Sequence, residues 1–326
     1  MDSKAKDIER REWKKIVDRI LEKEKCLVLT LGYIDTGKTS FLKYASKKIK
    51  ENGKKVSIID CDVGQSNIGP PGCLGLLNDS GKSFYYFIGD VYPYDHSKVI
   101  TGLLELLSRV DSSYILIDTT GLIFGKGRSL KRAKIMSLKP DLIIAFQRNH
   151  ELEGILKNFP QYEIIRENVE NVEFTSREKR KEIRKKLWKK HLKNSQIKVF
   201  KLKDIKLRNT FLFSGMESRK DIMEKILGMK VYWCEKIPEG FFIVADEYGE
   251  QENTIILKKG FEEGLIVGFI KNEICIGIGM IIRVDFERKE IYILTNTEND
   301  FDFIEFGRIK INGDGEELGR VYNLVY

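Results

Sequence analysis

The chain has 326 residues, 57 Lys and Arg against 49 Asp and Glu, a net charge of +8 and 42% hydrophobic residues. This is the composition of an ordinary globular protein, long enough for two domains. No apolar run reaches the roughly eighteen residues that a membrane-spanning helix needs. The basic excess favours a polyanionic partner. Its five cysteines are scattered without a C-x-x-C pair and its three histidines lie far apart, which argues against a disulfide framework or a zinc site.

The first twelve residues alternate charge and lack an apolar core. They do not read as a signal or transit peptide, so the expected compartment is the cytoplasm. From Lys4 to Lys23, Trp13, Ile16, Val17, Ile20 and Leu21 recur at helical spacing. Residues 1–24 are expected to form an N-terminal helix that packs on the domain after it.

Cys26 to Leu31 is an apolar, β-prone run, followed by Gly32-Tyr33-Ile34-Asp35-Thr36-Gly37-Lys38-Thr39 and a helical stretch from Ser40 to Asn52. This is G-x-x-x-x-G-K-T between a strand and a helix, the context the phosphate-binding motif requires. Backbone N–H groups of such a loop point inward at the positive end of the helix and cradle phosphate oxygens. Gly32 through Ser40 are therefore expected to hold ATP. Lys38 would reach the β- and γ-phosphates, and the Thr39 hydroxyl would hold Mg²⁺.

A second strand, Lys55 to Ile59, ends in Asp60-Cys-Asp62-Val-Gly-Gln65. Acids separated by one residue point to opposite sides of an extended chain. One can face a metal while the other faces a substrate. The two prolines and three glycines between Asn67 and Gly75 indicate a fixed loop. A strand at Phe84–Ile88, a helix at His96–Val110 and a strand at Tyr114–Asp118 follow. The last runs into Asp118-Thr-Thr-Gly121, a pattern that brings an aspartate and a glycine amide beside Mg²⁺ and the γ-phosphate. Leu122 to Arg132 is Gly-rich, then basic, and leads into a helix ending near Leu138. A fourth strand covers Pro140–Phe146. This alternation implies an α/β fold, a P-loop NTPase with a parallel sheet covered by helices and ligands at the strands' carboxyl ends.

Glu151–Val172 reads as a helix and a connection, and Ser176–Asn194 as a strongly basic helix able to neutralise nucleic-acid phosphates. From Ile197 the texture changes to short strands: 241–245, 254–257, 265–270, 274–283, 290–295 and 306–311. These imply a small C-terminal β-rich domain, a barrel or sandwich. The expected domains are 25–196, with a lid and the basic helix, and 197–326.

A P-loop alone does not say what is done with the nucleotide. A kinase, a GTPase or metallochaperone, an assembly ATPase and a nucleic-acid-binding protein with a regulatory P-loop compete. No N-K-x-D or T-K-x-D base-reading motif is found, which lowers the GTPase reading. The basic stretch from Lys126 to Arg132 favours phosphoryl transfer, where a mobile arginine-bearing lid would stabilise the migrating charge. Asp62 would then accept the proton of an acceptor hydroxyl.

Together these residues resemble the polynucleotide 5′-hydroxyl kinases, relatives of the kinase subunit of eukaryotic mRNA cleavage factor and of the nucleolar pre-rRNA kinase. The resemblance rests on the Gly32–Thr39 loop, Asp60-Cys-Asp-Val-Gly-Gln65, Pro71-Gly72, Gly89 to Pro93, Asp118-Thr-Thr-Gly121, the Gly125–Arg132 segment and the basic helix from Arg177. It implies ATP and Mg²⁺ as cofactors, and RNA or DNA with a 5′-hydroxyl end as partner. It also implies Asp62 as the acceptor-activating residue, Asp60 as a carboxylate on the metal side or just behind the metal's ligands, and Arg128 and Arg132 as lid residues. Gln65, Pro71, Gly72, Leu122, Phe124 and Lys126 would border the nucleic acid. Leu122 stands where the family often has a tryptophan, so Phe124 is the candidate for base stacking. The large N-terminal domain of the eukaryotic members has no counterpart here, so their protein partners are not carried over.

Overall fold

The computed structural model describes residues 3–170 and 174–322. Two compact units emerge, Met1–Arg180 and Lys181–Tyr326.

The first unit begins with α1 (Ser3–Leu21), β1 (Cys26–Gly32), α2 (Lys38–Glu51), β2 (Val56–Cys61), β3 (Cys73–Leu77) and β4 (Ser83–Phe87). It continues with α3 (His96–Leu107), β5 (Tyr114–Thr119), α4 (Lys126–Leu138), β6 (Leu142–Gln147), α5 (Glu153–Leu156) and β7 (Ile164–Asn168). The seven strands form one sheet in the order β4-β3-β2-β5-β1-β6-β7. From β2 to β7 every pairing is parallel, and the buried strands are rich in Ile, Leu and Val as sheets covered on both faces require.

The apolar stripe of α1 behaves as its spacing implies. Trp13, Ile16, Val17 and Ile20 are buried against Phe41, Ala45 and Ile49 of α2 and the sheet residues Leu116, Leu142 and Ile144. Each contributes roughly 1.5–3 kcal/mol by leaving water. The α3 helix is capped by Asp95, whose carboxylate accepts the Lys98 N–H at 2.9 Å, while His96 is its first residue.

Two stretches depart from expectation. The loop expected over 67–75 turns into β3 at Cys73, which pairs antiparallel with both β2 and β4, so the parallel core carries an antiparallel edge. The stretch 151–172 contains only the short α5 and then β7, a strand parallel to β6 in which no position is fully buried. An edge strand buries little, so its hydrophobic signal is weak.

The basic helix α6 (Arg177–His191) runs across the division between units. Strands β8 (Gln196–Lys201), β9 (Leu207–Arg208), β10 (Met216–Glu217), the helix α7 (Lys220–Leu227) and β11 (Val231–Ile237) follow. Then come β12 (Gly240–Ala245), β13 (Gly249–Gln251), β14 (Thr254–Lys258), β15 (Leu265–Lys271), β16 (Ile274–Asp285), β17 (Glu290–Thr295), β18 (Phe303–Ile311) and β19 (Glu317–Arg320). They build a five-stranded sheet, β10-β11-β12-β14-β13, and a second sheet, β19-β18-β15-β16-β17-β8, with β9 alongside β18. Trp233 and Phe242 of the first share a buried core with Phe269, Ile291 and Phe306 of the second.

The boundary expected between 196 and 197 falls instead inside α6, after Arg180. The reason is packing within the second unit. Trp188 is fully buried, Arg184 donates from Nε and Nη2 to the two carboxylate oxygens of Glu317, and Lys189 pairs with Asp314 at 2.8 Å.

Candidate active site

Three strand ends converge on one loop. β1 delivers Gly32–Gly37, β2 delivers Asp60 and Asp62, and β5 delivers Asp118. The parallel register sets Asp60 beside Asp118 and Cys61 beside Thr119. Thr119 donates its hydroxyl proton to the Thr30 carbonyl at 2.8 Å, which fastens the end of β5 to β1.

The phosphate loop has the conformation its glycines imply. Gly37 sits at φ 89°, a left-handed backbone that a side chain would strain, and precedes the first turn of α2. Gly121 is needed for closeness: a Cβ there would stand 2.4 Å from Ile34 Cγ1 and 2.6 Å from its backbone nitrogen. The D-x-x-G turn thus lies directly on the loop. Lys38 is buried and folded back, its ammonium donating to the Tyr33 carbonyl. Burial lowers its pKa, while Asp118, Asp62 and Asp35 act in the opposite direction. A phosphate would supply the counter-charge the ammonium lacks.

Thr39 donates its hydroxyl proton to Asp118 Oδ2, and Asp118 Oδ1 accepts the Thr119 N–H at 2.8 Å. A hydroxyl and a carboxylate held together at a helix start suit a Mg²⁺ ion that takes one or two protein oxygens and completes its shell from phosphates and water.

Asp60 does not occupy that position. Its two oxygens accept the N–H groups of Asp62 at 2.9 Å and Asn67 at 2.6 Å. Burial first, then Asp118 and Asp62, push its pKa up to about 8. Asp60 therefore organises the turn after β2, and Asp118 is the carboxylate on the Thr39 hydroxyl. The pairing of strand ends gives Asp118 this role, as the Asp118-Thr-Thr-Gly121 pattern implies.

Asp62 is half-buried. Its Oδ1 accepts the N–H groups of Gly64 and Gln65, each at 3.1 Å, and no described donor reaches Oδ2. Two amides orient the carboxylate and one oxygen is left to meet an acceptor. Gln65 is half-buried beside it. Pro71 and Gly72 are buried, and the Gly72 amide and carbonyl bond to Val63 and to Ile88 and Gly89. They hold the loop in shape and present no surface to a nucleic acid, which corrects their expected contact role.

The segment expected to be a mobile lid is the start of α4, which is anchored. Gly127, Leu130, Lys131, Lys134 and Ile135 are buried on its inner face. Arg128 and Arg132 lie on the exposed outer face, because helical spacing turns them away from the residues that pack inward. Two cations of α4 face inward, Lys131 and Lys134, and Lys131 donates to the carbonyl and hydroxyl of Thr120. Burial holds its pKa well below the usual value. Leu122 is half-buried, Phe124 is exposed on the turn before α4, and Lys126 is exposed as the first residue of that helix.

Residues 32–194 match the family described as mRNA cleavage and polyadenylation factor CLP1, P-loop. A polyribonucleotide 5′-hydroxyl-kinase of Pyrococcus abyssi is 34% identical over 93% of this chain and 94% of its own length. The chain belongs to the Clp1 P-loop family. A second member, a polyribonucleotide 5′-hydroxyl-kinase of Pyrococcus furiosus, is 34% identical over 90% of this chain and 89% of its own. Family likeness extends to the fold. The solved complex of Clp1p with Pcf11p superimposes with a TM-score of 0.62 over 92% of this chain and 79% of that one, at 10% identity.

Proposed function

We propose that the chain transfers the γ-phosphoryl of ATP to the 5′-hydroxyl of RNA. The observation that carries this is the division of labour among three carboxylates: Asp118 on the Thr39 hydroxyl, Asp60 sealed by backbone amides, and Asp62 oriented with Oδ2 open. A carboxylate oriented by two amides with one oxygen open suits a hydroxyl acceptor. Asp62 accepts the acceptor's proton as its oxygen attacks. Lys38 and the loop amides hold the phosphates and offset charge that develops on them. Thr39 and Asp118 would hold Mg²⁺, which when bound neutralises the β- and γ-oxygens.

We assign Gln65, Leu122 and Lys126 to the nucleic acid; Phe124, whose ring packs on Tyr33, is left to the nucleotide loop. Arg128, Arg132 and the outer face of α6 add exposed positive charge. We place the protein in the cytoplasm: all five cysteines are buried and outside any disulfide, as a reducing compartment permits. No helix among the described residues is long and apolar enough to cross a membrane.

The test is end-labelling with γ-labelled ATP, Mg²⁺ and short RNAs bearing either a 5′-hydroxyl or a 5′-phosphate. Label on the hydroxyl RNA alone is expected, and a DNA of the same sequence then sets the sugar preference. Release of free phosphate with no labelled RNA would favour an ATPase or GTPase of the metallochaperone or assembly type.

A further inference from the structure

One cluster beside the phosphate loop takes no part in the chemistry above. Tyr33, inside the loop, meets Phe124 on one side and Phe174 on the other, with ring centroids 5.7 and 5.8 Å apart. The Arg148 guanidinium lies 4.7 Å from the Phe174 centroid and 5.8 Å from that of Tyr33. Phe174 is 50% exposed, although it is large and apolar. Arg148 Nε is buried yet has no hydrogen-bond partner, and its contact with Glu151 is a long one of 3.8 Å. An exposed aromatic ring beside a guanidinium short of hydrogen-bond partners is what a nucleobase stacks on.

The sheet order says which nucleobase. The carboxylates lie on β2 and β5, to one side of β1, whereas Arg148 follows β6 and Phe174 follows β7, on the other side. Acceptor oxygen, transferred phosphorus and leaving oxygen lie roughly in line during phosphoryl transfer. A nucleotide whose γ-phosphoryl faces Asp62 therefore extends away from β2, toward β6 and β7. Asp35 ties that region to the loop: it sits at φ 58° and its carboxylate accepts the Thr175 N–H at 2.7 Å.

We propose that Tyr33, Phe174 and Arg148 form the platform on which the base of the donor nucleotide stacks. This rests on the reading of the loop as the donor site and adds what holds the base. Stacking uses the π-face that every base has, so the platform tolerates guanine as well as adenine.

The test is calorimetric titration of the full chain, without RNA, using ADP, GDP and pyrophosphate. Phe174→Ala and Arg148→Ala are each expected to weaken ADP and GDP about tenfold, to leave pyrophosphate unchanged, and Phe174→Tyr to restore diphosphate affinity. Unchanged ADP affinity would overturn the proposal, including the case in which KM for RNA rises instead and assigns the aromatics to the acceptor. Equal weakening of ADP and pyrophosphate would also overturn it, since the cluster would then be a prop for the loop. A chain that stacks ADP through Phe174 but labels no RNA would sink the kinase reading and leave the platform standing.

Discussion

Among single residues, the three carboxylates separate most cleanly. Asp62→Ala is expected to lower the rate of RNA labelling by about 10²–10⁴-fold, the usual contribution of a general base, with ADP affinity in Mg²⁺ unchanged. Asp118→Ala should instead weaken Mg²⁺-dependent ADP binding, because it removes the acid on the Thr39 hydroxyl. Calorimetry with and without Mg²⁺ distinguishes the two; a common loss would make Asp62 a metal ligand. Asp60 predicts a pH effect on stability. Its folded pKa is raised to about 8, against an unfolded value of about 3.9. Between these the folded state keeps a proton that the unfolded state has released, so this contribution is full at low pH and lost as pH rises toward the folded value. The nucleotide-free wild type should lose melting temperature from about pH 5 to about pH 8 more steeply than Asp60→Asn. Parallel melting curves would remove Asp60 as the source.

Among elements, α6 shows how one helix serves two purposes. Its charge marks it as a surface for phosphates, yet one face is committed to the second unit. Trp188→Ala should destabilise that unit by about 3–5 kcal/mol, the cost of a large aromatic cavity, read from the urea midpoint. An unchanged midpoint would mean that the helix packs loosely. The same duality explains α4. Its basic sequence suggests a lid, but Leu130, Ile135 and Leu138 anchor it, and Lys131 and Lys134 lie on the anchored face. Motif spacing makes β1, α2, β2 and β5 legible, because each combines a buried apolar run with residues bound by backbone geometry. The strands β3 and β7 are not legible: β3 hides behind a Pro-Gly loop, and β7 is a partly exposed edge.

For the whole molecule, the net charge of +8 predicts salt-dependent RNA binding. Lys181, Lys186 and Lys190 are exposed on α6. Replacing them together with Ala should weaken binding of a short single-stranded RNA. The slope of log affinity against log salt should fall by about 0.7 for each phosphate that is no longer neutralised, with ADP affinity untouched. Fluorescence anisotropy across a salt series reads this, and an unchanged slope would place the RNA elsewhere.

The sequence by itself determined the phosphate loop, the acidic turn after β2, the α/β frame and the family, because all are local: strand, glycine turn and helix are neighbours in the chain. Tertiary structure alone decided that Asp60 is closed off by backbone amides, which cations of α4 face inward, where the units divide, and that Tyr33, Arg148 and Phe174 form one surface. Those depend on strand order and helical phase, which bring together residues far apart in the chain that no spacing in the sequence connects.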